Sequence, residues 1–341
     1  MTTRPITFFA LATLAPVPLL GLGATFGGAW IWAALIYMTL FAGLADRVMA
    51  RPEPDAPEGA EFPAADQLSA LLAGLHFVLL GAGIWAVSGA SGLTPGARIV
   101  AFFAFGLFFG QVSNSNAHEL IHRPTRGLHR LGMWVFVSLM FGHHTSAHPL
   151  VHHRHVGTPA DPNTPRGGEG FYRFLPRAWI GSFRAGLRAE RVLGRRGRYA
   201  TYIGGGLGLL ALSYLAFGLA GALAHLALAG HASAQLLLSD YVQHYGLSRP
   251  RLENGKYAPV TAAHSWNAPH RFSSHLMLNA PRHSDHHTHP ARAYPALHLP
   301  GPDEVPTLPH SLPVMGAIAL VPPLWRRIMN PRAARWQNRA T

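Results

Sequence analysis

The chain has 341 residues, of which 49% are hydrophobic and 13% charged, and it carries a formal net charge of +13. Ordinary globular proteins carry about 25% charged residues, so this composition argues against a set of soluble domains. There is no cysteine, which excludes disulfides, iron–sulfur clusters, thiolate zinc sites and a cysteine nucleophile, so any metal must be held by nitrogen and oxygen.

Apolar stretches of roughly 20 residues, the length that spans a bilayer, recur along the chain. The first, about residues 6–25, has no A-x-A exit and leads into more apolar sequence, so it is expected to be a retained span rather than a signal peptide. A second span covers about 28–45 and is followed by the polar loop DRVMARPEPDAPEGAEFPAAD. The third covers about 67–88 and the fourth about 96–117, ending at HELIHR. The segment 131–142 is apolar but too short to cross, which predicts a re-entrant or interfacial helix. Residues 143–199 are polar and Arg-rich; spans five and six, about 200–219 and 221–246, share a tight Gly-Leu-Ala-Gly corner. The rest is polar, Pro-rich and His-rich apart from an apolar patch at 313–324. The run YIGGGLGLL at 202–210 lies inside an apolar span and precedes no strand, which marks close helix packing rather than a phosphate loop.

The expected fold is therefore all-α: an integral membrane protein with about six transmembrane helices and a cytoplasmic histidine-rich cap, 118–199 and 247–341, the whole chain forming one domain. With the N-terminus in the cytoplasm, six crossings leave 27 of the 28 Lys+Arg inside and only Arg98 at the outer edge. That asymmetry follows the positive-inside rule. It places the net charge at the cytoplasmic headgroups, so the charge does not call for nucleic acid.

The stretch 116–155 holds nine of the 22 histidines. His118 and His122 are four apart, so a helix puts both rings on one face. His148 and His152 repeat the spacing and His153 adjoins them, while His244, His283, His286 and His287 lie far downstream. Neutral imidazole suits iron, copper, nickel or zinc. Nine ligands exceed the four of a tetrahedral zinc and suffice for two metals. His76, His129, His225, His231, His298 and His310 stand alone and read as structural; His143, His144, His155, His270, His275 and His289 are intermediate. A ligand ring needs an acceptor for its other nitrogen. Glu119, Asp161, Asp240 and Asp285 stand close enough in sequence to serve, Asp240 one turn before His244, and His264 in HSWN is a further candidate. Phe102, Phe105 and Phe109, with Phe103 and Phe108, lead down to His118 and form a candidate substrate channel.

The grouped histidines resemble the boxes of the membrane-bound alkane monooxygenase family, within the integral-membrane histidine-rich di-iron group that also holds fatty acid desaturases and xylene monooxygenase. The family pattern is HExxH, EHxxGHH, NxxEHYGL and LQRHSDHH. Here these are His118-Glu-Leu-Ile-His122, Ala147-His148-Pro-Leu-Val-His152-His153, Asp240-Tyr-Val-Gln-His244-Tyr-Gly-Leu and Ala280-Pro-Arg-His283-Ser-Asp-His286-His287. The pieces GTPADPNTPR, RLENGKY, HSWN and ARAYPAL are also similar, and the likeness covers roughly 110–335. Ala147, Val151 and Gln243 depart from the family's Glu, Gly and Glu; Gln243 remains a candidate partner of a ligand ring.

The resemblance implies that the nine histidines bind two iron ions and that O2 is a co-substrate. It implies hydroxylation of an unactivated C–H bond, foremost the terminal methyl of an alkane. Aromatic or terpenoid methyl hydroxylation and acyl desaturation are alternatives within the same chemistry. Electrons are expected from a rubredoxin-type carrier fed by an NAD(P)H-dependent reductase, steered by the Arg-rich face, and the apolar substrate from the bilayer. The expected location is the inner membrane, with site and both termini cytoplasmic. An intramembrane zinc protease built on HELIH, with Glu119 as base, would leave seven grouped histidines idle. A metal transporter would place ligands near mid-bilayer.

Overall fold

The computed structural model describes residues 6–49, 51–195 and 197–340. Arg4 and Arg196, two of the charges assigned to the inner face, lie outside the described residues. Helices α1 (Thr7–Phe26), α2 (Gly28–Val48), α3 (Pro63–Ser88) and α4 (Pro95–Ile121) are each long and apolar enough to cross a bilayer. Then come α5 (Arg126–Ser138), α6 (residues 144–155) and α7 (Phe171–Val192). The fifth segment with spanning character is α8 (Gly197–His244). The cap is completed by α9 (Arg271–Leu276), α10 (His283–Thr288), α11 (Leu312–Ala319) and α12 (Pro322–Ala340). Among the described residues there is no strand, only isolated bridges at Arg251–Tyr257 and Asn267–Thr307.

By length and composition there are five such segments rather than the expected six, because spans five and six run together in α8. That helix is interrupted at Phe217 and Gly218, both outside helical geometry. Ser213 Oγ lies 2.8 Å from His225 Nδ1. Residues 12 apart would be about 18 Å apart along a straight helix, so α8 doubles back at this point. Gly218 has φ 64° and ψ −161°, a conformation essentially confined to glycine. The corner is the one marked by Gly-Leu-Ala-Gly.

Helix α5 starts earlier than the apolar segment 131–142 and ends at Ser138. Its 13 residues extend about 20 Å, short of the roughly 30 Å hydrocarbon core. It packs against the end of α4, where a Cβ on Gly132 would meet Leu120 and the Ala117 carbonyl. The glycine run of α8 approaches α5 as closely: a Cβ on Gly205 would meet Trp134 and Val137. Close helix packing is thus its role.

One hydrophobic core runs from the spanning helices (Leu20, Phe105, Leu228) into the cap (Trp266, Tyr294, Trp325). Leu40, Leu44, Val78 and Leu215 face outward, as lipid-facing residues do. Among the described residues three helices each contain one π-helical turn: Tyr37–Phe41 in α2, Phe109–Ser113 in α4 and His148–His152 in α6. Such turns insert one residue and are frequent at functional sites.

Gly218→Ala meets no neighbouring atom, so its effect isolates backbone strain. The expected loss is about 1–3 kcal/mol, read as a lower Tm in detergent micelles; an unchanged Tm would mean that α8 does not need this turn.

Candidate metal centre

Four elements deliver the grouped histidines. The end of α4 carries His118 and His122, one turn apart. The π turn of α6 carries His148 and His152, with His153 directly after it. The last residue of α8 is His244, and α10 carries His283, His286 and His287. All nine converge, and they divide into two sets. His118, His122, His148, His153 and His286 form one; His152, His244, His283 and His287 form the other. Within each set the available ring nitrogens lie within 4.8 Å of one another. The sets abut, with the rings of His153 and His287 4.6 Å apart.

The nitrogens face each other at close range. In the first set, Nε2 of His148 is 2.7 Å from Nε2 of His118 and 2.9 Å from that of His153, which is 3.1 Å from Nε2 of His286. In the second, Nε2 of His283 is 3.0 Å from that of His244 and 3.1 Å from that of His287. A neutral imidazole nitrogen has either one proton or one lone pair, so one nitrogen cannot serve two neighbours in this way. Nε2 of His122 and of His152 are buried without a hydrogen-bond partner. Nitrogens about 2.0–2.1 Å from a shared cation satisfy all of these contacts at once. The donor set therefore fits two metal ions, one of five ligands and one of four.

Protonation agrees. Burial, and then the neighbouring rings, hold His148, His153, His286 and His287 well below the usual imidazole range. They are neutral, the form that a metal takes. His152 differs: burial pushes it down, but the Asp161 carboxylate outweighs this and raises it. Asp161 is held below the usual carboxylate range: burial works upward, and His152 more than offsets it. Asp161 Oδ2 lies 2.8 Å from His152 Nδ1, which leaves Nε2 aimed into the second set.

The other acceptors expected from sequence proximity do not reach a ligand ring through their side chains. Glu119 accepts from Arg123 and from the Tyr294 amide, fastening α4 to the cap. Asp240 accepts from Asn163 Nδ2 at 2.6 Å. Gln243 donates to the Ala280 carbonyl. Asp285 accepts from Arg292 and the His298 amide and lies 2.8 Å from His289 Nδ1. The His264 side chain caps its own turn at Thr261, and it is the His264 carbonyl that lies 3.1 Å from His244 Nδ1. A backbone acceptor of this kind has no sequence signal.

Sequence reasoning also missed the supports of Asp161. Asn163 ties Asp161 to Asp240 through its amide and side chain. Arg177 on α7 donates to the carbonyls of Pro162 and Thr164 and pairs with Glu169. The last histidine box is held from the other side: Arg282 pairs with Asp55 and donates to the carbonyls of Glu53 and Leu297. His144, one of the histidines left as intermediate by the sequence, stacks its ring 4.8 Å from that of His148. His76 and His225 are structural, as expected: His76 sits between Ser113 and Ser138, and His225 between Ser213 and the Ser138 carbonyl.

A small chamber of about 50 Å³ touches both sets, through His118 and His283. It shares Gly110, Ser239 and Met277 with a larger cavity of about 360 Å³ between α2, α4, α8 and α11. Leu107, Leu238, Val314 and Leu320 give the larger cavity its apolar wall. Phe102, Phe105 and Phe109 line neither space, which corrects the expected channel. Phe102 lies against the His231 ring and Phe109 against His76. The π turn at Phe109–Ser113 shifts the helix register, and the face that opens to the cavity carries Leu107, Gly110 and Gln111.

The chain matches the family model described as fatty acid desaturase over residues 93–318. It is 31% identical to alkane 1-monooxygenase 2 of Pseudomonas aeruginosa, over 91% of this chain and 86% of that protein. It is likewise 31% identical to alkane 1-monooxygenase 1 of Alcanivorax borkumensis, over 96% and 85%. Identity to the xylene/toluene monooxygenase hydroxylase component of Pseudomonas putida is 31%, over 65% of this chain and 61% of that one. The matches extend through all four histidine-bearing elements, and the chain belongs to the alkane 1-monooxygenase family, within the wider fatty acid desaturase family.

Proposed function

We propose that the chain hydroxylates unactivated C–H bonds, foremost the terminal methyl of alkanes, using O2 and two iron ions held by the two histidine sets. The observation that carries this is two abutting sets of closely packed imidazoles at the end of an apolar cavity. Iron bound there supplies the redox chemistry that reduces O2 and breaks a C–H bond. The protein residues do the rest. Asp161 keeps the Nδ1 proton of His152 and so fixes which nitrogen faces the metal. Leu107, Leu238 and Val314 admit an apolar chain and exclude water, and the constriction at Gly110, Ser239 and Met277 passes one chain end into the chamber beside His118 and His283.

The balance requires two electrons and two protons for each O2, one oxygen entering the alcohol and one leaving as water. With no cysteine in the chain, the electrons come from a separate carrier, a rubredoxin-type protein fed by an NAD(P)H-dependent reductase. Exposed Arg173, Arg184, Arg188 and Arg191 on α7 suit an acidic partner. The chain acts as one domain in the cytoplasmic membrane, with six crossings counted as α1 to α4 and the two arms of α8. Its cap and termini face the cytoplasm, as the Lys+Arg asymmetry favours. The likeness to the xylene/toluene enzyme supports aromatic methyl groups as second substrates, and the desaturase family match supports desaturation as the competing outcome.

Cells expressing the chain with a rubredoxin and its reductase are expected to convert octane, hexadecane or p-xylene to alcohols, and the purified protein to hold about two iron per chain. Alkene in place of alcohol would overturn hydroxylation. His283→Ala removes a ligand of the four-membered set; turnover should vanish while membrane insertion persists, and full turnover would detach α10 from the site. Asp161→Asn keeps the shape but removes the charge and one of the two acceptor oxygens, and should weaken metal retention about 10- to 100-fold in a chelator competition.

A further inference from the structure

A further cavity, of about 310 Å³ and with no metal ligand in its wall, lies between the end of α7 and the start of α8. Phe183, Leu187 and Ile203 give it an apolar lining, and Glu190, Arg191 and Arg195 give it charge. Glu190 is fully buried. Its Oε1 accepts from Ser146 Oγ at 2.7 Å and pairs with Arg198 at 3.4 Å, while its Oε2 has no hydrogen-bond partner. The Arg195 amide donates to the Glu190 carbonyl at 2.8 Å, which holds Arg195 beside the carboxylate. The side chains of Arg191 and Arg195 are exposed, and among the described residues neither pairs with an acid.

The surroundings of the cavity are those of a membrane surface. Exposed Val192 and Leu193 stand between the two arginines, and exposed Ile203 and Leu207 follow one face of α8 into its first arm. Basic and apolar residues interleaved in this way suit the boundary between head groups and acyl chains.

Three demands on an occupant follow. A buried acceptor left alone bears its desolvation cost, so Glu190 Oε2 calls for a donor. Arg198 already offsets the charge of Glu190, so Arg191 and Arg195 leave the cavity positive and call for an anion. The apolar lining and the exposed face of α8 call for hydrocarbon. Choline offers no donor, and ethanolamine adds a cation to a group of three arginines.

We propose that the cavity binds an anionic glycerophospholipid with a hydroxylated head group, of the phosphatidylglycerol type. Its phosphate pairs with Arg191 and Arg195, a head-group hydroxyl donates to Glu190 Oε2, and its acyl chains follow Ile203 and Leu207. Through Glu190 and Ser146 the lipid braces α6, which carries three of the nine grouped histidines. The site stands independently of the hydroxylase reading.

The full chain in detergent micelles is offered equal amounts of phosphatidylglycerol, phosphatidylethanolamine and phosphatidylcholine with matched acyl chains, and retained lipid is counted by native mass spectrometry. The wild type should retain phosphatidylglycerol over the other two. Glu190→Gln leaves a single acceptor, already claimed by Ser146 and Arg198, and should cut that preference about tenfold. Arg195→Gln removes one exposed charge and should cut it about two- to fivefold. Iron content serves as the folding control; if Glu190→Gln loses its iron, Arg195→Gln carries the comparison. Equal retention of the three lipids, preference for either of the other two, or an unchanged preference in Arg195→Gln overturns the proposal. Soluble glycerophosphoglycerol at the same concentration should leave the lipid in place. Its displacement of the lipid would show a site for the free head group, and overturns the proposal as well.

Discussion

Imidazoles packed nitrogen to nitrogen are the constraint on which the architecture depends. Nine rings crowd together, six of them buried and three partly so, and several of their nitrogens face one another at 2.7–3.1 Å. Without a shared cation that arrangement gives up more hydrogen bonds to water than its N–H···N pairs replace. The cap is accordingly built as a brace. Arg177 holds the loop of Asp161, Arg282 ties the last histidine box to the loop between α2 and α3, and Glu119 joins the end of α4 to Tyr294. None of these touches a ligand ring; Arg282 and Glu119 each fix an element that carries one, and Arg177 fixes the loop whose Asp161 orients His152.

The spanning helices contribute the other half of the site. Two helices with spanning character, α4 and α8, end at ligands, His118 and His122 on one and His244 on the other. The remaining ligands reach the same level on α6 and α10, which are too short to cross. The apolar cavity and the chamber beside His118 and His283 share the wall formed by Gly110, Ser239 and Met277.

Much of this was legible from spacing. Four-residue spacing paired His118 with His122, which share a set, while His148 and His152 have the same spacing and fall in different sets across a π turn; the Gly-rich corner located the reversal in α8. Proximity in sequence served less well for the acceptors. Of the five side chains expected to orient a ligand besides Asp161, none does so, because Glu119, Asp240, Gln243 and Asp285 point to partners on distant elements and His264 acts through its carbonyl. Position along the chain misled for Phe102, Phe105 and Phe109, which lead down to His118 in sequence without facing the cavity. The π turn at Phe109–Ser113 shifts the register of α4, and the face it presents to the cavity carries Leu107, Gly110 and Gln111. Nothing in composition signals such an insertion.

His152 and His153 are consecutive, yet they belong to different sets, and the same holds for His286 and His287. The gap between the two sets is therefore measured twice by a single peptide unit, about 3.8 Å from one α-carbon to the next. Covalent geometry does not yield when a bilayer thins, thickens or is squeezed sideways. Helices can tilt to track the lipid, while the backbone that joins the two sets keeps its length, with the ring centroids of the consecutive histidines 6.1 and 5.8 Å apart.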